Sequence, residues 1–402
     1  MPPTASQLPT LSLADPAESG EGTIDPLGLE RIAEDMALRL VPGVRERMSH
    51  ARYLTVMVVG NAMCERFADD AWAKDGVSPP WQVFEWYVVE GLTRADLPKF
   101  SLPGRLKAKE AIRRDIGLAR DRYLKVPSVF GFHGVYRNLA KELRVLTDDA
   151  GVLGISGDDL LAAWIEDQKL GGFRGASGSG ADWRRELHAA IADGLERGAT
   201  CRPAGWRGWG FFGTHLNPLE PGRRERAVLQ RLLNSVGGHR ATVLGFVAST
   251  AGQSVLTETP KGDGIDERRI HVALLTQADD ALRMLLDGIQ AYEAFARILL
   301  DVFHELLHAL SLAHGAVALD ALVAYPCVRR ATAELPAVWQ AASAALGPLG
   351  LAVDLEDRFA DFARQQTPTQ LLRTLVDHHA RIQRGKLPNG KNTWIDVYND
   401  QR

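Results

Sequence analysis

The residues best suited to chemistry lie at 304–308, where the sequence reads H-E-x-x-H. Residues four apart share one face of an α-helix, so His304 and His308 would point in the same direction. Two such imidazoles can ligate one Zn²⁺, and Glu305 between them would then activate a bound water molecule as general base. The spacing is therefore typical of metal-dependent hydrolysis.

The string continues as H-E-x-x-H-x-x-S-x-x-H, which resembles the signature of the metzincin peptidases except at Ser311, where that family has glycine. The resemblance implies His314 as the third zinc ligand. The departure matters because an unbroken helix would place His314 about 9 Å along the axis from His308. The methionine turn of that family is absent too, since no methionine follows residue 314. Asp320 and Glu334 stay open as third ligands of the gluzincin kind.

A structural interpretation competes with the zinc site. Six polar residues recur at intervals of three or four on one face of the helix predicted from Tyr292, namely Glu293, Arg297, Asp301, His304, His308 and Ser311. On this interpretation the two histidines continue a polar stripe on an otherwise apolar core helix. We favour the stripe and keep a zinc metallopeptidase as the alternative function.

A second motif fails on its context. Residues 385–392 read GKLPNGKN, where Asn392 replaces the Ser or Thr that holds Mg²⁺ in a phosphate-binding P-loop. Pro388 lies inside the loop, and no strand-helix alternation precedes it. The sequence also lacks a dinucleotide-binding glycine fingerprint, a G-x-S-x-G elbow and the kinase signatures. We therefore predict no cofactor, with Zn²⁺ as the alternative.

The composition indicates an ordinary globular protein. Of its 402 residues 46% are hydrophobic and 24% charged, which predicts two or three domains. The distant Cys64, Cys201 and Cys327 exclude a disulfide scaffold and a thiolate zinc knuckle, and they fit a reducing compartment. The first 25 residues lack the regions of a signal peptide, and charges interrupt the long apolar runs, so we expect a cytoplasmic protein without a membrane span.

Two stretches are locally basic although the formal net charge is only −3. Residues 99–125 hold nine basic against three acidic residues, and residues 202–231 interleave arginines with aromatic side chains. Clustered Arg and Lys bind phosphate with release of counterions, and aromatic rings stack on bases. The candidate nucleic-acid contacts are Arg105, Lys107, Lys109, Arg113, Arg114, Arg120, Arg207, Arg223 and Arg224. The competing interpretations are a solvated helical face for the first stretch and a domain seam for the second.

The elements that must position these residues are mainly helical. We predict a mainly α, multi-subdomain protein with few strands, for which only residues 242–248 and 269–275 are convincing. The aromatic residues of 81–92 predict a buried core helix more than a base-stacking platform. The predicted segments are a disordered arm at 1–25, an N-terminal helical domain at 26–125, a helical or winged-helix-like domain at 126–240 and a C-terminal helical domain at 241–402.

The domain at 126–240 has two open interpretations. Amphipathic helices around 135–143 and 158–168 are joined by a glycine-rich turn, as in a helix-turn-helix or winged-helix module. A plain helical hairpin fits the same pattern. The glycine-rich loop at 171–182 would be flexible, either as a wing or as a linker.

Four segments carry a wider resemblance: RYL at 52–54, VPSVFGFHGVYRNL at 126–139, LEPGRRERAVLQRLL at 219–233 and AYEAFARILLDVFHELLHALSLA at 291–313. Their order resembles helix-rich bacterial proteins that accompany helicases and nucleases in phage-defence gene clusters. The resemblance covers residues 27–400 and implies a core helix, not a metal site, at 304–308. We therefore predict a cytoplasmic, non-catalytic accessory protein that contacts DNA or a DNA-processing partner, with a structural scaffold as a further alternative.

Overall fold

The chain is described by a computed structural model, which defines most of the sequence. The described residues are 25–45, 47–68, 70–95, 97–98, 100–147, 153–235, 238–257, 267–313, 317–386 and 393–395. They form eighteen α-helices, two short 3₁₀ helices and no β-strand, so the prediction of a mainly α fold is confirmed. The predicted N-terminal arm lies outside them apart from Asp25. No described helix has the length and apolar character needed to cross a lipid bilayer.

The α-helices follow one another through the whole described chain. In chain order they are α1 (Glu30–Leu40), α2 (Tyr53–Cys64), α3 (Pro80–Arg94), α4 (Arg105–Arg113), α5 (Pro127–Phe130), α6 (Phe132–Glu142), α7 (Ile155–Asp167), α8 (Ser179–Arg197), α9 (Gly208–His215), α10 (Arg223–Ser235), α11 (Arg240–Ala248), α12 (Thr250–Thr257), α13 (Glu267–Leu275), α14 (Asp280–Leu312), α15 (Leu319–Leu322), α16 (Pro326–Leu346), α17 (Ala352–Phe359) and α18 (Pro368–Gly385). The 3₁₀ helices are Arg120–Arg122 and Ala360–Phe362.

The helices fold into two compact units. Residues 41–241 form the central unit, and residues 25–40 with 242–395 form the flanking unit, both named for their place in the sequence. The sequence-based boundary at 125 falls inside the central unit, whose single aromatic core continues across it. The boundary at 240 lies one residue from the point where the chain changes unit.

The central unit is built around α2 and α3. Nearly every residue of α2 is buried, as is typical of a helix that is apolar nearly all round. On α3, Phe84, Trp86 and Tyr87 are at most 2% exposed, so the aromatic residues build a core as predicted and present no platform for bases. The ring of Tyr53 stacks on Phe132 of α6 with centroids 5.3 Å apart.

Both predicted strands are helices. Residues 242–248 belong to α11 and residues 269–275 to α13. Phe246 of α11 and Leu274 of α13 pack together with Leu282 in one small apolar cluster of the flanking unit. Runs this short carry too little periodicity to separate a strand from a helix, and packing against α14 decides the outcome.

The wing predicted near 171–182 is not formed. The described part of 126–240 contains no strand, only one side of the isolated bridge Ala119–Ala199 and the isolated bridge Leu146–Leu153 beside the α6–α7 connection. The loop is compact because Phe173 is buried against Trp164, with ring centroids 5.0 Å apart. Residues 171–182 therefore form no β-wing, and α6 and α7 both pack against α2.

The flanking unit is organised by the 33-residue helix α14. Its start is fixed by Asp279, whose side chain accepts the N–H of Leu282 at 2.8 Å. α16 packs along it, and the Oη of Tyr292 donates to the carbonyl of Leu29 at 2.7 Å beside α1. α14 is thus the scaffold on which the H-E-x-x-H residues lie.

Candidate functional site

The H-E-x-x-H residues lie near the end of α14 in three different environments. His304 is exposed, His308 is half-buried and Glu305 is buried. Burial of part of the His304 ring lowers its pKa, and the nearby Asp301 opposes this. α14 passes Ser311 without a turn, so the bend that would direct a later ligand toward His308 is not made there.

A protein zinc site needs at least three ligands held at about 2 Å. Across the described ranges, no three His, Cys, Asp or Glu side chains are arranged so that they could hold a metal ion. Asp320 and Glu334 therefore do not complete a site with His304 and His308, and Glu334 instead binds Arg330 at 3.0 Å. The predicted ligand His314 lies outside the described residues.

Glu305 lies near a thiol at the start of α16. The pKa of Cys327 is raised to about 11, mainly by burial and to a smaller extent by the charge of Glu305. The thiol therefore stays protonated at neutral pH, which makes it a poor nucleophile and a poor metal ligand. This part of the motif belongs to helix packing.

The neighbouring pair of histidines on α18 also serves packing. His378 binds the carbonyl of Leu27 through Nε2 at 2.7 Å, and burial lowers its pKa to about 4. His379 binds the carbonyl of Pro26 through Nδ1 at 2.9 Å, and its Nε2 accepts the N–H of Trp394. Both rings use their nitrogens to fasten backbone segments to α18.

We call residues 202–231 the second basic segment, and most of its arginines are neutralised by acids from other helices. The ion pairs are Arg202 with Asp193 at 2.6 Å, Arg207 with Glu186 at 2.7 Å, Arg224 with Glu166 at 2.8 Å and Arg231 with Asp159 at 2.8 Å. Of the arginines predicted to contact nucleic acid here, Arg207 and Arg224 are thus already paired. Arg223 is exposed and forms no ion pair within the described residues.

The aromatic side chains of the second basic segment are also occupied. Trp209, Phe211 and Phe212 are at most 5% exposed. Trp206 donates its indole N–H to Glu186 at 2.8 Å, the same carboxylate that binds Arg207. The rings are therefore not available to stack on bases, and the segment is an internal seam of the central unit.

A buried ion pair anchors the second basic segment. Arg52 directly before α2 and Glu225 of α10 are at most 2% exposed, and Arg52 Nε lies 2.8 Å from Glu225 Oε1. The remaining guanidinium N–H groups donate to the carbonyls of Asn217 and His215. Every charge in this buried cluster therefore has a partner, which is what a buried ion pair requires.

We call residues 105–122 the first basic segment, which consists of α4, a turn and the first 3₁₀ helix. It has seven basic against three acidic residues. Arg114 pairs with Glu110 at 2.7 Å and Arg122 with Asp121 at 3.3 Å, both within the segment itself. No acid from another described element forms an ion pair with the segment.

The remaining cations of the first basic segment face solvent. Lys109, Arg113 and Arg120 are exposed and Lys107 is half-exposed, and none of the four forms an ion pair in the described part of the chain. Lys109 and Arg113 lie four residues apart on one face of α4. Arg105 instead packs over the ring of Phe100, so it is less available. This face is the strongest candidate for binding an anionic partner.

One end of the first basic segment is held by a fully buried carboxyl group, which the sequence analysis missed. Glu85 of α3 accepts the O–H of Tyr123 at 2.8 Å and the backbone N–H of His133 at 3.0 Å. Burial raises the pKa of Glu85 to about 7, and the two hydrogen bonds oppose this shift. The available signal is a glutamate whose helical neighbours on α3 are apolar except for Gln82.

A second buried glutamate of α3 holds the turn inside the segment. Glu90 accepts the hydroxyl of Thr200 at 2.6 Å and binds Arg94 at 2.8 Å. The same hydroxyl accepts the N–H of Leu118, and Thr200 N–H donates to the Leu118 carbonyl, both at 2.8 Å. α3 thus positions the basic face at two points.

A surface cleft of about 740 Å³ opens between the end of α6 and the start of α7. Its polar lining mixes charges of both signs and includes Lys141, Glu142, Arg144 and Ser156. No residue predicted to contact nucleic acid or metal lines it, and the mixed charge defines no ligand.

Comparisons with known protein families, with curated proteins and with solved structures find no match to this chain.

Proposed function

We propose that the protein is a non-catalytic, DNA-binding accessory protein whose first basic segment contacts the phosphate backbone. The observation that carries the proposal is the pairing of charges in the central unit. Acids from other helices pair with four of the six arginines of the second basic segment, whereas Lys107, Lys109 and Arg113 of the first face solvent without an ion pair among the described residues. A solvent-facing cluster of cations is what counterion release on phosphate requires.

Contact with the backbone is favoured over reading of bases. α4 has only nine residues and presents long, flexible cations, and the neighbouring rings of Phe100 and Tyr123 are at most 8% exposed. The net charge of −3 gives no general attraction to DNA, so binding should depend on this face and fall steeply with salt.

The cellular setting is part of the same proposal. A cytoplasmic bacterial protein that assists a DNA-processing partner in phage defence agrees with the sequence resemblance and with the mainly helical fold. Backbone contact without base reading suits an accessory protein, because the partner then supplies the chemistry and the choice of site.

The test compares two double charge reversals. Lys109→Glu with Arg113→Glu changes the proposed face, and Arg329→Glu with Arg373→Glu changes two exposed arginines of the flanking unit that form no ion pair in the described ranges. Affinity for a labelled 30-base-pair duplex is measured by fluorescence anisotropy at about 50 mM salt.

We expect the first variant to lose about tenfold to a hundredfold in affinity, because two favourable phosphate contacts become repulsive. The second variant carries the same net charge and should stay close to the unchanged protein. Equal losses in the two variants, or no DNA binding by the unchanged protein at low salt, would refute the proposal.

A further inference from the structure

We propose that Glu85 is a pH-dependent positioning residue for the first basic segment. The segment is held closed while the carboxyl group carries a proton, and it loosens when the carboxyl group ionises. This inference rests on the proposed DNA contact and adds a regulation to it. Glu85 acts through Tyr123 and does not itself touch DNA.

The two ends of the first basic segment meet at the ring of Tyr123. Tyr123 follows the segment, and its Oη lies 2.8 Å from Glu85 Oε1. Gly104 precedes the segment with φ of 79°, and a Cβ added there would lie 2.3 Å from Cε2 of Tyr123. Only glycine lets the ring pack at this point. Tyr123 and Glu85 therefore close the loop that carries the exposed cations.

Glu85 differs from the other buried glutamates of the central unit. Glu90 is paired with Arg94, and Glu225 is paired with Arg52. Glu85 is fully buried, yet its hydrogen-bond partners are two neutral donors, and no cation among the described residues lies within ion-pair distance. An ionised carboxylate in such a place is costly, because neutral donors compensate only part of its lost hydration.

The other titratable groups around Glu85 do not change charge near neutral pH. Burial lowers the pKa of His133 on α6 to about 4, and burial raises the pKa values of Tyr123 and of Tyr53 on α2 well above their ordinary range. Arg105 of α4 lies near Tyr53 and is a permanent cation. The pKa of Glu85, raised by burial to about 7, is therefore the one in this cluster that falls between pH 6 and pH 8.

The direction of the effect follows from proton linkage. A protonated carboxyl group carries no charge, and its oxygens can still accept the Tyr123 O–H and the His133 N–H. When the proton leaves to solvent, the charge remains without a cation, and any opening that admits water to it is favoured. Rising pH therefore loosens the segment, so DNA affinity should fall between pH 6 and pH 8.

The test uses the full chain and a labelled DNA duplex at pH 6, 7 and 8 at constant ionic strength. Glu85→Gln mimics the protonated form, because it keeps the size and shape of the side chain and carries no charge. Tyr123→Phe removes the link and keeps the ring. Glu196→Gln is the matched control, since Glu196 is exposed in the same unit. Amide hydrogen exchange of residues 105–122 without DNA, corrected for intrinsic rates, is the second readout.

For the unchanged protein we expect about fivefold weaker binding at pH 8 than at pH 6. Glu85→Gln should bind equally at both and should bind more tightly than the unchanged protein at pH 8, a gain that structural damage would not produce. Tyr123→Phe should lose most of the pH dependence, and Glu196→Gln should keep it. Exchange protection should follow the same order.

Two results separate this inference from the proposed function. DNA binding whose pH profile is unaltered by Glu85→Gln and by Tyr123→Phe overturns the inference alone. Absence of DNA binding overturns the proposed function, and amide exchange then tests the positioning role by itself. Exchange protection of residues 105–122 that falls with rising pH only when Glu85 is present supports this role. Protection that does not change with pH refutes it. If Glu85→Gln does not fold, Tyr123→Phe carries the same decision.

Discussion

The two basic segments of the central unit carry equal excesses of positive charge and differ in where their counter-charges lie. The first has seven basic and three acidic residues and the second six and two, an excess of four in each. In the second, acids of α7 and α8 bind four of the arginines. In the first, no other described element supplies an acid in an ion pair. Charge along a sequence therefore does not reveal charge at the surface.

The segments also differ in the buried glutamate that anchors them. Glu225 holds the second segment as half of a fully paired ion pair with Arg52. Glu85 holds the first through neutral donors alone. The second anchor should be rigid over the physiological pH range, whereas the first should respond to pH.

The largest expected effect is on the anchor of the second segment. Glu225→Gln leaves the buried Arg52 charge uncompensated and should lower the free energy of unfolding by about 3–5 kcal/mol, measured by urea denaturation. The control Glu220→Gln, at an exposed position of the same segment, should change it by no more than about 0.5 kcal/mol. A loss below about 1 kcal/mol for Glu225→Gln would contradict a rigid ionic anchor.

Glu85, the anchor of the first segment, should make the free energy of unfolding depend on pH. Because the folded-state pKa of Glu85 is raised from 4.5 to about 7, its contribution is fully present below pH 4.5 and is lost as pH rises through 7. Glu85→Gln should therefore gain about 3 kcal/mol relative to the unchanged protein between pH 4.5 and pH 8. Parallel stability curves for the two proteins would rule out this shift.

The smallest expected effect concerns a surface ion pair of the second segment. Arg207 is exposed and binds Glu186, so Arg207→Ala should change the stability only slightly. It should change DNA affinity less than twofold, since that arginine is already neutralised. A tenfold loss of affinity would place the DNA contact on the second segment and contradict the proposed difference between the two segments.

The helical architecture and much of the core could be predicted from the sequence. The predictions were wrong where contacts between distant residues determine the local structure. The prediction that aromatic residues of 81–92 are buried holds for Phe84, Trp86 and Tyr87, whereas Trp81 is half-buried. The runs at 242–248 and 269–275 were predicted as strands, because five to seven apolar residues fit either period and only packing on α14 makes them helical. Residues 171–182 form no wing, and Phe173 in this loop is buried in the core.

The candidate site was only half visible in the sequence. Both basic segments and their cations were identified, but the acids that neutralise Arg207 and Arg231 lie 21 and 72 residues away along the chain. Nothing in the local sequence indicates such pairings. The zinc pattern around Glu305 could be recognised because its local spacing matches the motif. The described part of the structure brings no third ligand to it.

The most direct test of a DNA contact at the first basic segment is the salt dependence of DNA binding by two matched variants, each of which lacks two positive charges. Lys109→Gln with Arg113→Gln removes two charges from the first segment, and Arg224→Gln with Arg231→Gln removes two from the second. The slope of log affinity against log salt should become shallower by about 1.8 for the first variant and should not change for the second, because only the first loses phosphate contacts. An unchanged slope for the first variant, or an equal change in both, would contradict the account.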